Sequence, residues 1–167
     1  MADARTIVLE HDRIQRKLRR MAFQLYEENV KETSLVLVGV APRGAKLATR
    51  LKAHLEDISP LKIELHELRL DKDAPLAGPA KLGSSDISLE GRVVVLVDDV
   101  LMSGRTLMYA AAHLIGHPLK RLTTVVLVDR RHRTFPIRAD IVGLTLSTTL
   151  QEHISVELGR KDTVYLS

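Results

Sequence analysis

The chain has 167 residues, of which 45% are hydrophobic and 28% charged, with a net charge of +4 at pH 7 and no cysteine. This composition is typical of a globular protein and excludes disorder as the main state, disulfides and cysteine-based metal sites. The apolar runs are too short to cross a membrane and Met1–Arg5 lacks the apolar core of a signal peptide, so we expect one cytoplasmic domain, residues 1–167, that does not act on membranes. The mild positive charge favours anionic partners, either phosphorylated metabolites or nucleic acid.

The first half of the chain alternates between helical and strand patterns. Residues 7–32 carry apolar residues at helical spacing opposite a basic face and are predicted to form one helix. The apolar run 34–40 predicts a buried strand, 45–56 a second helix, and the alternation in 61–68 a further strand.

Residues 71–91 interrupt this alternation. Aspartates, prolines, glycines and serines dominate the segment, which predicts a loop or hairpin of about twenty residues. A long loop in a compact domain is often functional, so we expect a lid over an active site, with a plain connector as the alternative.

The second half repeats the pattern of apolar strand and helix. Residues 92–97 predict the strongest strand, ended by Asp98 and Asp99, and 107–115 predict a helix. A buried strand is predicted at 122–128, with short strands at 141–144 and 154–158. Apolar strands that alternate with helices indicate an α/β fold with a mostly parallel central sheet flanked by helices.

Polar clusters directly follow three of the predicted strands. They are Pro42–Gly44, Asp98–Asp99 and Asp129–Arg133. Because ligands in parallel α/β sheets bind at the carboxyl ends of the strands, these clusters are the candidate site.

The cluster after the strand at 92–97 points to a phosphorylated sugar. Gly104 allows close approach of the backbone to a ligand, and amides of the turn and the following helix start form an anion site, assisted by the hydroxyls of Ser103 and Thr106. Beside such an anion site, Asp98 and Asp99 are suited to hydrogen-bond sugar hydroxyls or to contact Mg²⁺ and its waters. The segment matches neither the P-loop nor the dinucleotide-binding glycine pattern.

These residues resemble a known family. The apolar strand, the two acids and the Ser-Gly-Arg-Thr turn of 93–106 resemble the signature of the type I phosphoribosyltransferases, which bind phosphoribosyl pyrophosphate. Nearly the whole chain resembles the PyrR family of pyrimidine operon attenuators and uracil phosphoribosyltransferases. The segments that carry this resemblance are 37–44, 96–101, 127–133 and 136–140.

The resemblance implies a type I phosphoribosyltransferase fold with a small hood and a flexible flap loop, and a role for each matched residue. Asp98 and Asp99 would hold the ribose hydroxyls, and Mg²⁺ would be bound mainly through substrate and water, with these two acids as its candidate protein ligands. Arg43 would donate to the pyrophosphate, in a loop where a cis peptide is common. The 5-phosphate loop would be Leu101, Met102, Ser103, Gly104, Arg105 and Thr106, and the pyrophosphate loop Ala41, Pro42, Arg43 and Gly44. The base hood would contain Asp129, Arg130, His132, Arg133 and Arg138, and the flap Arg69 and Asp71.

The implied activity is Mg²⁺-dependent transfer of ribose 5-phosphate from phosphoribosyl pyrophosphate to uracil, which gives UMP and pyrophosphate. One alternative is a regulator that binds pyrimidine-operon messenger RNA in response to nucleotides, with weak or no catalysis; another is a transferase for a purine base. Of the basic face that binds messenger RNA in the family, this chain has Arg20, His132, Arg133 and Arg138. Phe23 stands where the family typically has a histidine, and Leu144 and Leu150 stand where it typically has lysines. The family also implies a homodimer or higher homo-oligomer.

Overall fold

The computed structural model describes residues 4–83 and 86–167. The expectation about the chain start therefore lies largely outside the described residues, as do Ser84 and Ser85 of the predicted loop. The helices are α1 (His11–Glu28), α2 (Arg43–Ile58) and α3 (Arg105–Leu114). The strands are β1 (Thr6–Leu9), β2 (Ser34–Val40), β3 (Lys62–Arg69), β4 (Lys81–Leu82), β5 (Val93–Leu101), β6 (Arg121–Asp129), β7 (Ile141–Thr145), β8 (Ile154–Glu157) and β9 (Thr163–Leu166).

A six-stranded sheet in the order β4-β3-β2-β5-β6-β7 forms the centre of the fold. Strands β3, β2, β5, β6 and β7 pair in parallel, and β4 pairs antiparallel with the end of β3. In this register Val38 of β2 lies between His66 of β3 and Leu96 of β5. The α/β fold with a mostly parallel sheet is confirmed, and the carboxyl ends of five strands meet at one edge.

Both faces of the sheet are covered, which explains the continuous apolar runs in β2, β5 and β6. Val93, Val95 and Val97 of β5 point into a core shared with α1 and α2, while Val94 and Leu96 point into a second core shared with α3. Successive side chains on a strand point to opposite faces of the sheet. A strand that alternated apolar and polar residues would therefore fill only one of these two cores.

A small antiparallel sheet, in the order β1-β9-β8, joins the two ends of the chain. Leu9, Ile154, Val156 and Val164 from this small sheet pack into the core that contains α1 and α2. The prediction of one helix over 7–32 was wrong at its start, because residues 6–9 pair with β9 instead, and at its end, because α1 ends at Glu28. Strand β9 was not predicted.

The end of β5 and the loop 71–91 also differ from the sequence prediction, and most other predicted boundaries are displaced by one or two residues. Strand β5 does not end at the acid pair but continues through Asp98 and Asp99 to Leu101, because Asp98 and Leu101 still pair with β6. Within the loop 71–91, Lys81 and Leu82 pair with the end of β3 as β4. Among the described residues, no helix is long and apolar enough to cross a membrane.

Candidate active site

A cavity of about 270 Å³ opens at the carboxyl edge of the central sheet. It lies between the start of α2, the end of β5, the start of α3 and the β3–β4 loop. Its lining includes Arg43, Lys72, Asp73, Asp98, Asp99 and the whole turn Leu101–Thr106. The structure thus brings together three groups that lie far apart in the sequence.

Asp98 and Asp99 are almost fully buried in this cleft, at 3% and 4% exposure. Asp98 Oδ1 accepts a hydrogen bond from the Asp99 backbone N–H at 2.9 Å. Burial, with a smaller contribution from the negative charge of Asp99, raises the pKa of Asp98 to about 8, and the ammonium of Lys72 acts in the opposite direction. Nearby cations and hydrogen-bond donors therefore stabilise the ionised form of this buried carboxyl group.

Two cations face the two acids, one each. Arg43 Nη1 lies 3.9 Å from Asp99 Oδ2, and Lys72 Nζ lies 3.7 Å from Asp98 Oδ1. Arg43 is one of the predicted site residues, whereas Lys72 was missed. Lys72 follows β3, two strands away from β5 in the sheet, and no spacing in the sequence signals that its loop reaches the acid pair.

The turn Leu101–Thr106 has its carbonyl groups committed to the protein. Backbone N–H groups of Arg130 and Thr134 donate to the carbonyls of Leu101 and Ser103 at 3.0 and 2.9 Å. The N–H groups of Ser103 and Gly104, by contrast, donate to no acceptor within residues 4–83 and 86–167. They lie at the start of α3, so the turn offers amide donors and a positive helix end to an anion.

Gly104 is required by this turn for two reasons. Its φ is +87°, in the left-handed region that other residues avoid. A Cβ there would also lie 2.9 Å from Ile137 Cγ2 and 3.1 Å from the Phe135 carbonyl oxygen. The glycine therefore lets the segment after β6 pack directly on the turn.

The loop between β2 and α2 supplies the opposite wall. The Ala41–Pro42 peptide bond is cis, in agreement with the expectation for this loop, and the Ala41 N–H donates to the Leu68 carbonyl at 2.9 Å. A Cβ on Gly44 would lie 2.6 Å from the Val97 carbonyl oxygen and 3.0 Å from Asp98 Oδ1. This close approach brings the start of α2, with Arg43, against the acid pair.

The segment after β6 contacts the turn but does not line the cavity. Arg133 donates to the carbonyls of Ile137 and Met102 at 2.9 and 3.2 Å and to Asp129 Oδ1 at 2.7 Å.

Its neighbours bind other parts of the protein. Arg130 donates to Thr148 Oγ1 at 2.6 Å, and His132 contacts the Thr148 carbonyl. Arg138 is exposed, and its carbonyl accepts from Thr124 Oγ1 at 3.0 Å.

The two predicted flap residues also lie outside the cavity lining. Arg69 is exposed and pairs with Glu67 at 3.2 Å. Asp71 Oδ1 accepts from the backbone N–H groups of Asp73 and Ala74 at 2.9 and 3.1 Å, which closes a tight turn. The residues that this turn presents to the cleft are Lys72 and Asp73.

The donors in the cleft fit a magnesium ion that is shared with a ligand. Asp98 and Asp99 offer carboxylate oxygens, the donor type that Mg²⁺ prefers. Within the part of the chain that the structure describes, there is no group of three or more histidine, aspartate or glutamate side chains that could hold a metal. Mg²⁺ keeps several waters and binds readily through one or two carboxylates and substrate phosphates, which suits this arrangement.

Comparison with known proteins identifies the family of this chain. The family model for the phosphoribosyl transferase domain matches residues 4–161. A bifunctional protein PyrR from Chloroflexus aurantiacus is 39% identical over 165 residues, which cover 94% of this chain and 90% of the relative. A bifunctional protein PyrR from Streptomyces coelicolor is 41% identical over 163 residues, 93% of this chain and 84% of the relative. The chain belongs to the PyrR family of phosphoribosyltransferases.

The phosphoribosyltransferase also shares its fold with solved structures. A hypoxanthine-guanine phosphoribosyltransferase from Bacillus anthracis superposes with a TM-score of 0.74 at 21% identity, covering 89% of this chain and 86% of that one. A hypoxanthine phosphoribosyltransferase from Trypanosoma cruzi gives 0.73 at 22% identity, covering 84% and 81%. At 21–22% identity, this similarity shows that the chains share a fold and nothing more.

Proposed function

We propose that this phosphoribosyltransferase transfers ribose 5-phosphate from phosphoribosyl pyrophosphate to uracil and releases UMP and pyrophosphate. The observation that carries the proposal is one cleft in which a buried acid pair lies between an amide-lined turn and an arginine. Uracil is proposed as the base because the chain belongs to the PyrR family, and the resemblance to that family implies uracil.

In the proposed complex, each part of the substrate meets a complementary group. The amides of Ser103–Thr106 and the positive end of α3 bind the 5-phosphate. Asp98 and Asp99 accept hydrogen bonds from the two ribose hydroxyls. Arg43, at the start of α2, donates to the pyrophosphate.

The reaction needs positioning and charge stabilisation rather than a nucleophilic side chain. The bond between ribose C1 and the pyrophosphate oxygen breaks, the uracil nitrogen bonds to C1, and the proton of that nitrogen passes to the departing pyrophosphate or to water. Arg43 stabilises the charge that develops on the departing pyrophosphate. Mg²⁺, held by substrate oxygens, water and the two acids, would neutralise part of that charge.

Two segments complete the proposal. Residues 129–138, which hold the phosphate turn through Arg133, are proposed to cover the base, as the family resemblance implies. The loop that contains Arg69 and Asp71 is proposed as the flap that excludes water, because water would compete with uracil for C1.

The proposed transfer is tested by pyrophosphate release from phosphoribosyl pyrophosphate, Mg²⁺ and uracil. Uracil-dependent release is expected, with none in the absence of base. The variant Asp98→Asn/Asp99→Asn should lose release and binding while it stays folded by circular dichroism. Release by the double variant would contradict the site, and release with hypoxanthine or guanine but not uracil would show a purine enzyme.

A second candidate function, RNA binding, is favoured by a basic cluster on α1. Arg13, Arg16, Lys17 and Arg20 together line a shallow pocket. Lys17 and Arg20 donate to the Gly143 carbonyl at 3.2 and 3.1 Å, and burial and the neighbouring Arg20 and Arg13 lower the pKa of Lys17. Such a cluster attracts a phosphate backbone.

RNA binding is tested by the salt dependence of affinity for a pyrimidine-operon leader RNA. Affinity that falls steeply with salt, and less steeply in Arg13→Ala/Arg16→Ala, would support the regulator. Weak binding with a flat salt profile would exclude it.

We also propose a cytoplasmic homo-oligomer, at least a dimer. The exposed apolar side chains of Phe23 and Leu150, at 43% and 85% exposure, support an interface between copies. Sedimentation velocity should give a mass of at least twice 18.6 kDa, and a monomer at micromolar concentration would contradict the proposal.

A further inference from the structure

Arg131, in the loop after β6, has an unusual backbone conformation. Its φ is +67°, and no other residue besides glycine has a positive φ within residues 4–83 and 86–167. Glycine and asparagine adopt this left-handed region readily, whereas a longer side chain brings its Cβ close to the following carbonyl oxygen. The chain therefore has an arginine at a position where glycine or asparagine would fold more favourably.

The turn at Arg131 does not need an arginine side chain. The Arg131 N–H donates to Asp129 Oδ1 at 2.9 Å, and the Arg133 guanidinium donates to the same oxygen at 2.7 Å. Any residue other than proline would supply that N–H. The Arg131 residue is exposed, and its guanidinium donates to no acceptor in the part of the chain that the structure describes. Its charge is therefore available to a ligand outside the chain.

Neighbouring cations, by contrast, are committed to the fold. Arg133 donates to the Met102 carbonyl, and His132 contacts the Thr148 carbonyl. Arg20 donates to two carbonyls of the edge strand β7 at 2.9 and 3.1 Å. The family resemblance implies Arg20, His132 and Arg133 as RNA contacts, but in this chain each of them already contacts a carbonyl group of the protein.

Arg131 borders the same edge of the central sheet as the basic cluster of α1. That cluster reaches β7 at the Gly143 carbonyl, two residues before the strand ends at Thr145. Thr145 pairs with Asp129, which lies two residues before Arg131. The backbone path between the two cationic sites is therefore no longer than about 20 Å. Because Arg131 lies outside the cavity lining, an extended polyanion fits this arrangement better than a small substrate in the cleft does.

We propose that Arg131 contacts the phosphate backbone of an RNA that also crosses the basic cluster of α1, in place of His132 and Arg133. A cation that pairs with a phosphate releases condensed counterions, so each such contact adds to the affinity and to its salt dependence. This gain in RNA binding offsets the conformational cost of an arginine in the left-handed region. The inference rests on the second candidate function above and is independent of the transferase reaction.

Arg131→Asn tests this proposal, because asparagine tolerates the left-handed backbone and carries no charge. The midpoint of urea unfolding should stay the same or rise. Affinity for the pyrimidine-operon leader RNA should fall by about five- to tenfold at low salt, and the slope of log affinity against log salt should decrease by about one. Arg131→Lys keeps the charge and should keep most of that slope.

The matched control is Arg160→Asn, which removes the same charge from an exposed turn before β9 and should leave the slope nearly unchanged. An unchanged slope in Arg131→Asn would show that there is no phosphate contact, and a lower urea midpoint would show a structural role; either result overturns the inference. Tighter binding of DNA of the same sequence would assign the contact to DNA and also overturn it. If the unaltered protein binds the RNA weakly with a flat salt profile, the second candidate function itself fails, and the inference fails with it.

Discussion

At the scale of single residues, the unusual feature is the burial of two adjacent acids. Asp98 and Asp99 lie near the carboxyl end of β5 and are buried, and Gly44 packs closely against Asp98. Burying a charge without full pairing is costly, so the folded protein retains a proton that the unfolded chain has lost. The buried acid pair therefore lowers the stability of the folded protein at pH values where both acids would otherwise be ionised.

This cost predicts a decline in stability with rising pH. The pKa of Asp98 is raised from an ordinary value near 3.8 to about 8, so its contribution to stability is fully present below about pH 4 and is lost as pH rises through about 8. We expect the free energy of unfolding to fall between pH 5.5 and 8.5 more in the unaltered protein than in Asp98→Asn. Urea denaturation at several pH values (~0.5 unit apart) measures both.

Comparison with Asp98→Asn removes the contribution of other titrating groups. His54 and His113 have pKa values lowered mainly by burial, which raises stability as pH increases through their ordinary range and would mask the decline. They are present in both proteins. Parallel pH profiles for the two proteins would contradict the assignment of a retained proton to Asp98.

At the scale of elements, the loop after β6 acts as a brace for the turn Leu101–Thr106. Its backbone N–H groups bind the carbonyls of Leu101 and Ser103, and Arg133 binds the carbonyl of Met102. With the carbonyls turned into the protein, the amides of the turn remain for an anion. The preorganisation of the turn therefore depends on a segment that does not line the cavity.

Arg133→Ala should loosen this turn. Loss of three donated hydrogen bonds, one of them to the Asp129 carboxylate, should lower stability by about 1–3 kcal/mol and weaken ribose 5-phosphate binding by about tenfold. Isothermal calorimetry and urea denaturation provide the two readouts. Arg131→Ala, at an exposed neighbouring position, is the control and should change neither. Unchanged ribose 5-phosphate affinity in Arg133→Ala would show that the brace is dispensable.

At the scale of the molecule, a buried ionic cluster fastens the small sheet to the helices. Asp162, which is fully buried, accepts from Arg50 Nε and Nη2 at 2.6 and 2.8 Å and from Gln15 Nε2 at 2.8 Å. Gln15 lies on α1 and Arg50 on α2, whereas Asp162 directly precedes β9. One carboxylate thus links both helices to the C-terminal strand.

Asp162→Ala should lower the free energy of unfolding by about 3–5 kcal/mol, because it leaves a partly buried arginine without its partner. Urea denaturation measures the change. Asp57→Ala removes a comparable pair with Arg19, but at 67% side-chain exposure, and should cost about 0–1 kcal/mol. A similar, small loss in both variants would show that the cluster adds little to stability.

Much of the fold followed from local pattern in the sequence. The apolar runs of β2, β5 and β6 and the helical spacing of α2 are properties of contiguous residues, and burial on both faces dictates them. The acid pair and the turn Leu101–Thr106 were singled out for the same reason, since Asp98–Thr106 is one continuous segment. Arg43 was singled out by its place directly after a strand, at the edge where parallel strands end, and its role was implied by the family resemblance.

What the tertiary structure decided are the features that depend on pairing between distant segments. Strand β1 carries a helix-compatible pattern, and only its pairing with β9, over 150 residues away, makes it a strand. The proximity of Lys72 to Asp98, the hydrogen bond from Arg133 to the Met102 carbonyl and the raised pKa of Asp98 likewise arise from packing across the sheet. Local sequence determines which segments can be strands, helices and ligand loops; the folded chain determines which charges those segments bring within a few ångströms of each other.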